Sequence, residues 1–153
     1  MHNRAHNAAI AQRAVTNESA VMGRWNVEIT LRDCADGKRT GMLRSVNVFS
    51  RDGALVESGS RTAGAIAGRG YGTWRHEGGD RYSAVLRYYR FERDGSVAEL
   101  QRITRSLRMS ADGKRFSGTA LLEIIDSGDR VLVARCATEV AERLKDGFLE
   151  RNR

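Results

Sequence analysis

The sequence predicts an all-β protein: eight antiparallel strands in up-and-down order, closing into one barrel. Three observations carry that prediction. Between Trp25 and Val140, short alternating segments are separated by the turn pairs Asp36-Gly37, Asp52-Gly53, Gly78-Gly79, Asp94-Gly95, Asp112-Gly113 and Gly128-Asp129. Such pairs supply the positive φ angles of tight hairpin turns. A looser connection around Gly64 to Gly70 makes seven connections, hence eight strands. The chain also contains no proline, which suits strands that donate to a neighbour on both sides. A barrel of this size is either filled by side chains or has room for one small ligand.

The first strand is expected from Arg24 to Arg32, with Trp25, Val27, Ile29 and Leu31 on one face and Asn26, Glu28 and Thr30 on the other. Period two with a single apolar face is the pattern of a half-buried strand. The next three run over Met42–Ser50, Ala54–Ser60 and Gly70–Glu77, and the longest hairpin joins Arg81–Arg93 to Ser96–Met109. Arg115–Asp126 and Arg130–Val140 complete the set. Residues 1–20 are set apart as an N-terminal helix or flexible tail, and 21–153 as the barrel domain. An isolated helix of that length is marginal in water. From Ala141 to Arg153 a short helix or loop is expected, anchored by Leu144, Phe148 and Leu149.

Taking Asp94-Gly95 as a two-residue turn fixes the register of the long hairpin. Glu92 then faces Val97, Arg90 faces Glu99, Tyr88 faces Gln101, Leu86 faces Ile103 and Ala84 faces Arg105. The opposite side pairs Phe91 with Ala98, Tyr89 with Leu100, Arg87 with Arg102 and Val85 with Thr104. A slip of one residue would exchange the faces. The Tyr88 side is assigned to the interior, because Arg87 opposite Arg102 is tolerable only in water.

Composition narrows the function classes. At 153 residues, 41% of them apolar, the chain fits one domain with one core. No segment is long and apolar enough for a membrane span, and the first twenty residues lack the apolar stretch of a secretory signal. A cytoplasmic location is expected, with removal of a signal as the alternative. The net charge of +7 comes from 26 basic residues, of which only Lys38, Lys114 and Lys145 are lysine. They are spread along the chain, whereas phosphate-tracking surfaces cluster their charge; no nucleic-acid partner is expected. Cys34 and Cys136 fall after the first strand and within the last, which a closed barrel makes neighbours. A disulfide and two reduced thiols are both compatible with that placement.

Of the three histidines, His2 and His6 precede the barrel and only His76 belongs to it. No His/Cys cluster has metal-ligand spacing, so neither a metal nor a cofactor is expected. Gly68-Arg69-Gly70-Tyr71-Gly72 leads into a strand, where a phosphate loop would need a helix N-terminus. What remains is the inner face of the long hairpin: Leu86, Tyr88, Arg90, Glu99, Gln101, Ile103 and Arg105. Arg90 and Glu99 form a mutual pair in this register, leaving Tyr88, Gln101 and Arg105 as ligand-directed or catalytic candidates. The competing reading is an internal ion-pair network that fills the barrel and binds nothing.

Gly23-Arg24-Trp25 opening the first strand, with Arg143 after the last, resembles the lipocalin and wider calycin pattern. There the tryptophan closes the barrel base and an arginine lies across its ring; the resemblance thus implies structural roles for Trp25 and Arg143. The segments GRWNVEITLRDC, RGYGTW, LQRITRSLRMS and ARCATEV look like a group of uncharacterised bacterial lipocalin-like proteins over about residues 23 to 143. That group often shows histidine where this chain has Tyr71. Related barrels include small-ligand carriers, allene oxide cyclase and cyclases that fold polyketide chains. The first expectation, from an apolar cavity with Arg105 placed to meet a carboxylate or enolate, is binding of a lipophilic small molecule, anionic or carbonyl-bearing. Its alternatives are a cofactor-independent cyclase or isomerase of secondary metabolism and a filled structural barrel. A homodimer is compatible with each.

Overall fold

The computed structural model describes residues 19–59, 66–67 and 69–145. The expected N-terminal helix or tail, apart from Ser19 and Ala20, and the anchors Phe148 and Leu149 lie outside the described residues. Among the described residues there are nine strands: β1 (Gly23–Arg32), β2 (Arg39–Phe49), β3 (Ala54–Gly59), β4 (Ile66–Ala67), β5 (Gly70–Gly78), β6 (Arg81–Phe91), β7 (Val97–Met109), β8 (Arg115–Ile125) and β9 (Val131–Arg143). Eight of them close an antiparallel barrel through the β1–β9 and β6–β7 pairings. The ninth, β4, is a two-residue addition beside the end of β6, with Ile66 opposite Phe91.

Two boundaries differ from the sequence expectation by three residues, the others by two or fewer. The second strand begins at Arg39 rather than Met42, and the last continues through Ala141, Glu142 and Arg143. Those three residues keep the alternation of the strand and pair with β1 on one side and, up to Glu142, with β8 on the other. Arg143 therefore stands directly opposite Trp25.

The long hairpin has the expected register from Ala84 opposite Arg105 up to Arg90 opposite Glu99, and Arg87 opposite Arg102 faces outward. Near the turn it departs: Phe91 pairs with Val97, so neither Glu92–Val97 nor Phe91–Ala98 forms. The reason is the turn itself. Glu92 and Ser96 close it, and the Gly95 N–H donates to the Glu92 carbonyl at 3.0 Å. Only Gly95 has positive φ, at 87°, whereas a two-residue type I′ turn needs positive φ at both positions. The result is a three-residue loop with a glycine bulge. Asp94 contributes by accepting the Ser96 N–H at 2.9 Å, and Asp52 and Asp112 do the same for Ala54 and Lys114. The hydroxyl and N–H of Ser96 hold the Asp94 carboxyl below the usual aspartate range.

Connections β2–β3, β5–β6 and β7–β8 lie at one end of the barrel, here the lower end, and β1–β2, β6–β7 and β8–β9 lie at the upper end. The lower end is closed by aromatic rings. Trp25 meets Phe116 edge-on at 4.8 Å between centroids, and Phe49 contacts both Phe116 and Trp74. Arg143 lies over the Trp25 ring with its guanidinium carbon 4.3 Å from the centroid. Its N–H groups also donate to the carbonyls of Gly113, Met22 and Ala20. Gly23 makes room for this: its φ is +116°, and a Cβ there would stand 3.0 Å from Arg143 Nη1. Both features explain glycine at that position.

Arg143→Ala should destabilise the barrel by about 2–3 kcal/mol. The loss combines a cation–π contact with charge-assisted hydrogen bonds that partial exposure weakens. Arg143→Lys, which keeps the charge and loses the fork, should fall between wild type and alanine. Urea denaturation reads the difference; equal stability of all three proteins would make Arg143 a surface charge with no closing role.

Candidate functional site at the barrel interior and upper mouth

Period two decides what enters the barrel. On β6 it turns Ala84, Leu86 and Tyr88 inward, and on β7 Ile103, Arg105 and Leu107. The same parity carries polar side chains inward from other strands: Ser45 and Asn47 from β2, Glu57 from β3 and Glu139 from β9. These last were not singled out in the sequence, although Asn47, Glu57 and Glu139 each sit two residues from a core position (Phe49, Leu55, Ala137) on their own strands.

Together they form one buried network around Arg105, which is only 2% exposed. Arg105 Nε donates to Glu139 Oε1 at 2.9 Å, and Nη1 donates to Asn47 Oδ1. Glu57 Oε2 is 3.7 Å from Nη1 and accepts Asn47 Nδ2 at 3.1 Å. The Tyr88 hydroxyl donates to Glu57 Oε1 at 2.5 Å. Nη2 also lies 2.9 Å from Glu139 Oε1, but off the hydrogen-bonding direction, so that contact is electrostatic. Burial pushes the guanidinium towards neutrality, and the carboxylates of Glu139 and Glu57 more than reverse it. Arg105 is therefore a fixed cation held by two carboxylates on strands far apart in sequence.

The position of each candidate follows. Leu86 and Ile103 are core residues, and Tyr88 is sealed at 2% exposure with its ring against Gly70, where a Cβ would come within 2.4 Å. Arg90 and Glu99 pair at 2.7 Å, both half-buried, at the upper end of the same hairpin. Gln101 is the member that reaches an opening. With Leu31, Leu43, Leu122, Glu123, Ile124 and Arg135 it lines a cup of about 90 Å³ at the upper mouth. Arg135, opposite Leu122 on the neighbouring strand, is exposed and has no ion pair among the described residues. Tyr71 points outward, 62% exposed.

A larger concavity, about 650 Å³, lies outside the barrel against β1, β8 and β9. Its charged walls are exposed long side chains already matched in sign, Arg44 with Glu28 at 3.9 Å and Arg115 with Glu142 at 3.3 Å. Exposed pairs of that kind hold little energy, and no buried polar group points into the space. The cup differs: Glu123 gives its carboxylate to Arg102 at 3.2 Å, and apolar walls with the two remaining polar side chains, Gln101 and Arg135, are the ordinary makeup of a small-molecule site.

His76 is occupied locally, its Nε2 2.8 Å from the Gly79 carbonyl and its ring against Tyr82. Among the described residues no cluster of His, Cys, Asp or Glu is placed to hold a metal ion, and no helix is long and apolar enough to cross a membrane. No protein-family model matches the chain, and no curated protein is recognisably similar to it. The closed eight-stranded antiparallel barrel is compatible with a lipocalin-like fold.

Proposed function

We propose that the barrel binds a small lipophilic molecule bearing an anionic or carbonyl group, and that the upper cup is where it enters. The observation that carries this reading is the cup's lining: Leu31, Leu43, Leu122 and Ile124 around Gln101 and Arg135. Arg135 replaces Arg105 as the ligand-directed cation, because Arg105 is committed to Glu139, Asn47 and Glu57. At about 90 Å³ the cup is well below the ~300–1,000 Å³ of drug-sized sites. It takes the head of a ligand whose remainder extends past the rim. The cyclase or isomerase alternative shares the cup but needs a substrate to reach Tyr88 and Glu57, which are 2% and 1% exposed; the carrier reading asks for no such movement.

An anionic apolar dye such as anilinonaphthalene sulfonate is the test ligand. Arg135→Met should weaken its binding by about 1.5–3 kcal/mol, the range for hydrogen bonds to a charged group. Arg87→Met, outward-facing on β6, should leave affinity unchanged. Fluorescence titration measures both; no binding at all, or equal loss in the two variants, removes the proposal and leaves the filled barrel.

A further inference from the structure

The tip of the β1–β2 hairpin has a ladder neighbour on one side only. β2 pairs with β3 over residues 45–49, so residues 39–43 have β1 as their only ladder partner among the described residues. On the other side the tip meets β9, and the last pair of that seam is Arg32 with Cys136. The disulfide stands at this point, joining Cys34 in the hairpin loop to Cys136. Arg32 adds a tie of its own, its Nε donating to Thr138 Oγ1 at 2.9 Å. Within the loop the backbone bonds to itself: Asp33 N–H donates to the Lys38 carbonyl and Gly37 N–H to the Asp33 carbonyl, both at 2.9 Å. The Asp33 carboxylate accepts the N–H groups of Ala35 and Asp36. The tip is therefore built to move as one piece.

That piece carries half of the cup's apolar wall. Leu31 and Leu43 belong to the hairpin, whereas Leu122 and Ile124 come from β8 and Arg135, next to Cys136, from β9. β8 is paired with β7 up to Ile125 opposite Leu100, so its wall is fixed. A ligand head in the cup touches both walls and is held only while the hairpin stands against β9.

We propose that the Cys34–Cys136 bond is a redox latch on the cup. Oxidised, it holds the β1–β2 hairpin closed against the ligand head; reduction by a dithiol lets the hairpin open and the ligand leave. The proposal rests on the cup's being the ligand site. Ala137 faces inward, so Cys136 faces outward; it is half-buried and Cys34 is exposed. A reductant thus reaches the bond without entering the cup. One thiolate of the dithiol attacks the Cys34 sulfur, forming a mixed disulfide and expelling the Cys136 thiolate, which takes up a proton. The second thiol then displaces Cys34 and leaves the reductant as a cyclic disulfide, two electrons and two protons having passed to the protein. Arg32, directly opposite Cys136 on the same face, favours the departing thiolate. Because the ligand head needs both walls, its apparent affinity scales with the closed fraction, which the bond keeps near one. By linkage the ligand favours the disulfide over the dithiol by the same factor.

Anilinonaphthalene sulfonate titrated into oxidised and dithiothreitol-reduced protein is the test. Reduction should weaken binding at least about fivefold, the low end of coupling between sites. Cys34→Ala/Cys136→Ala should bind as the reduced protein does and be indifferent to reductant. Thr138→Val, which removes the Arg32 tie, should leave the oxidised affinity unchanged and weaken the reduced protein further. Hydrogen exchange reads the hairpin without any ligand. Leu144 N–H bonds the Arg24 carbonyl, so alternation makes Thr30–Thr138 and Arg32–Cys136 the hydrogen-bonded pairs of the upper seam. Their amides should exchange faster on reduction, with β6 and β7 unchanged. Equal dye affinity in the oxidised and reduced protein overturns the latch and spares the cup. No dye binding by the oxidised protein removes the cup, and exchange then decides: seam amides indifferent to reduction overturn the latch as well. Loss of the β-sheet circular dichroism signal on reduction also overturns it, because the bond would then hold the whole barrel rather than the hairpin.

Discussion

Arg105→Met should cost the barrel about 3–5 kcal/mol, the usual penalty for removing one partner of a buried ion pair. Methionine fills much of the same volume, so the loss is electrostatic. Glu139 and Glu57, 4% and 1% exposed, would keep their desolvation and lose the cation that offsets it. The triple variant Arg105→Met/Glu57→Gln/Glu139→Gln should recover most of the loss, since removing all the charges is far less damaging than orphaning some. Denaturant midpoints of wild type, single and triple variants measure this directly. If the single variant is as stable as wild type, Arg105 is not the hub of the interior. If the triple is no better than the single, the ion pairs are not what Arg105 supplies, and the placement of its guanidinium over the Phe49 and Phe116 rings becomes the explanation.

That network also marks the limit of what could be read from the sequence. The hairpin from Arg81 to Met109 was legible because its turn pair and its two faces constrain each other. Once Arg87 and Arg102 must face water, Tyr88 and Arg105 must face inward, and Arg102 finds Glu123 on the next strand. Alternation of Trp25, Val27, Ile29 and Leu31 and the glycine-bearing turns supplied the rest of the barrel. The Asp94-Gly95 pair was read as a two-residue loop, an error because Asp94 keeps negative φ and works through its carboxylate instead. The partners of Arg105 were harder to see. Asn47, Glu57 and Glu139 come from strands that meet it only across the closed interior, and no local spacing links them to β7. Parity alone held the clue, since each lies on the inward register of its own strand. Arg135 was missed for a related reason: it faces inward like Glu139, but near the mouth, where inward no longer means buried.

Cavity depth follows from the same facts. A guanidinium and two carboxylates at mid-height, with aromatic rings below, fill the lower barrel with side chains that cannot move aside cheaply. Among the described residues, free space is left above them, where Gln101 and Arg135 replace fully buried groups. The proposed ligand cup therefore sits at the upper rim, which is shaped by the end of β1, the β1–β2 loop and the projecting end of β9.

Removing the disulfide should act on that rim and on global stability together. Cys34 and Cys136 are joined, with Cα atoms 5.0 Å apart and a sequence separation of 102. They fasten the β1–β2 loop to β9 at the level where β1 stops. A loop of this length limits the unfolded chain strongly, about 4–5 kcal/mol in the chain-entropy model. Cys34→Ala/Cys136→Ala should lose most of that, and the slope of free energy against denaturant should rise, because the uncrosslinked chain exposes more surface on unfolding. The folded barrel should keep its β-sheet signal, since the ladder from Trp25–Arg143 to Arg32–Cys136 does not need the bond. A drop in stability with an unchanged slope would place the effect in the folded state, in the packing of the loop itself. Unchanged stability would mean that the bridge is not formed in solution, which titration of free thiols in the unfolded wild-type protein would show independently. The stabilisation is available only where the surrounding thiol pool leaves the bond oxidised. Measuring the same midpoint with and without a dithiol reductant therefore gives the stability the barrel has in each kind of compartment.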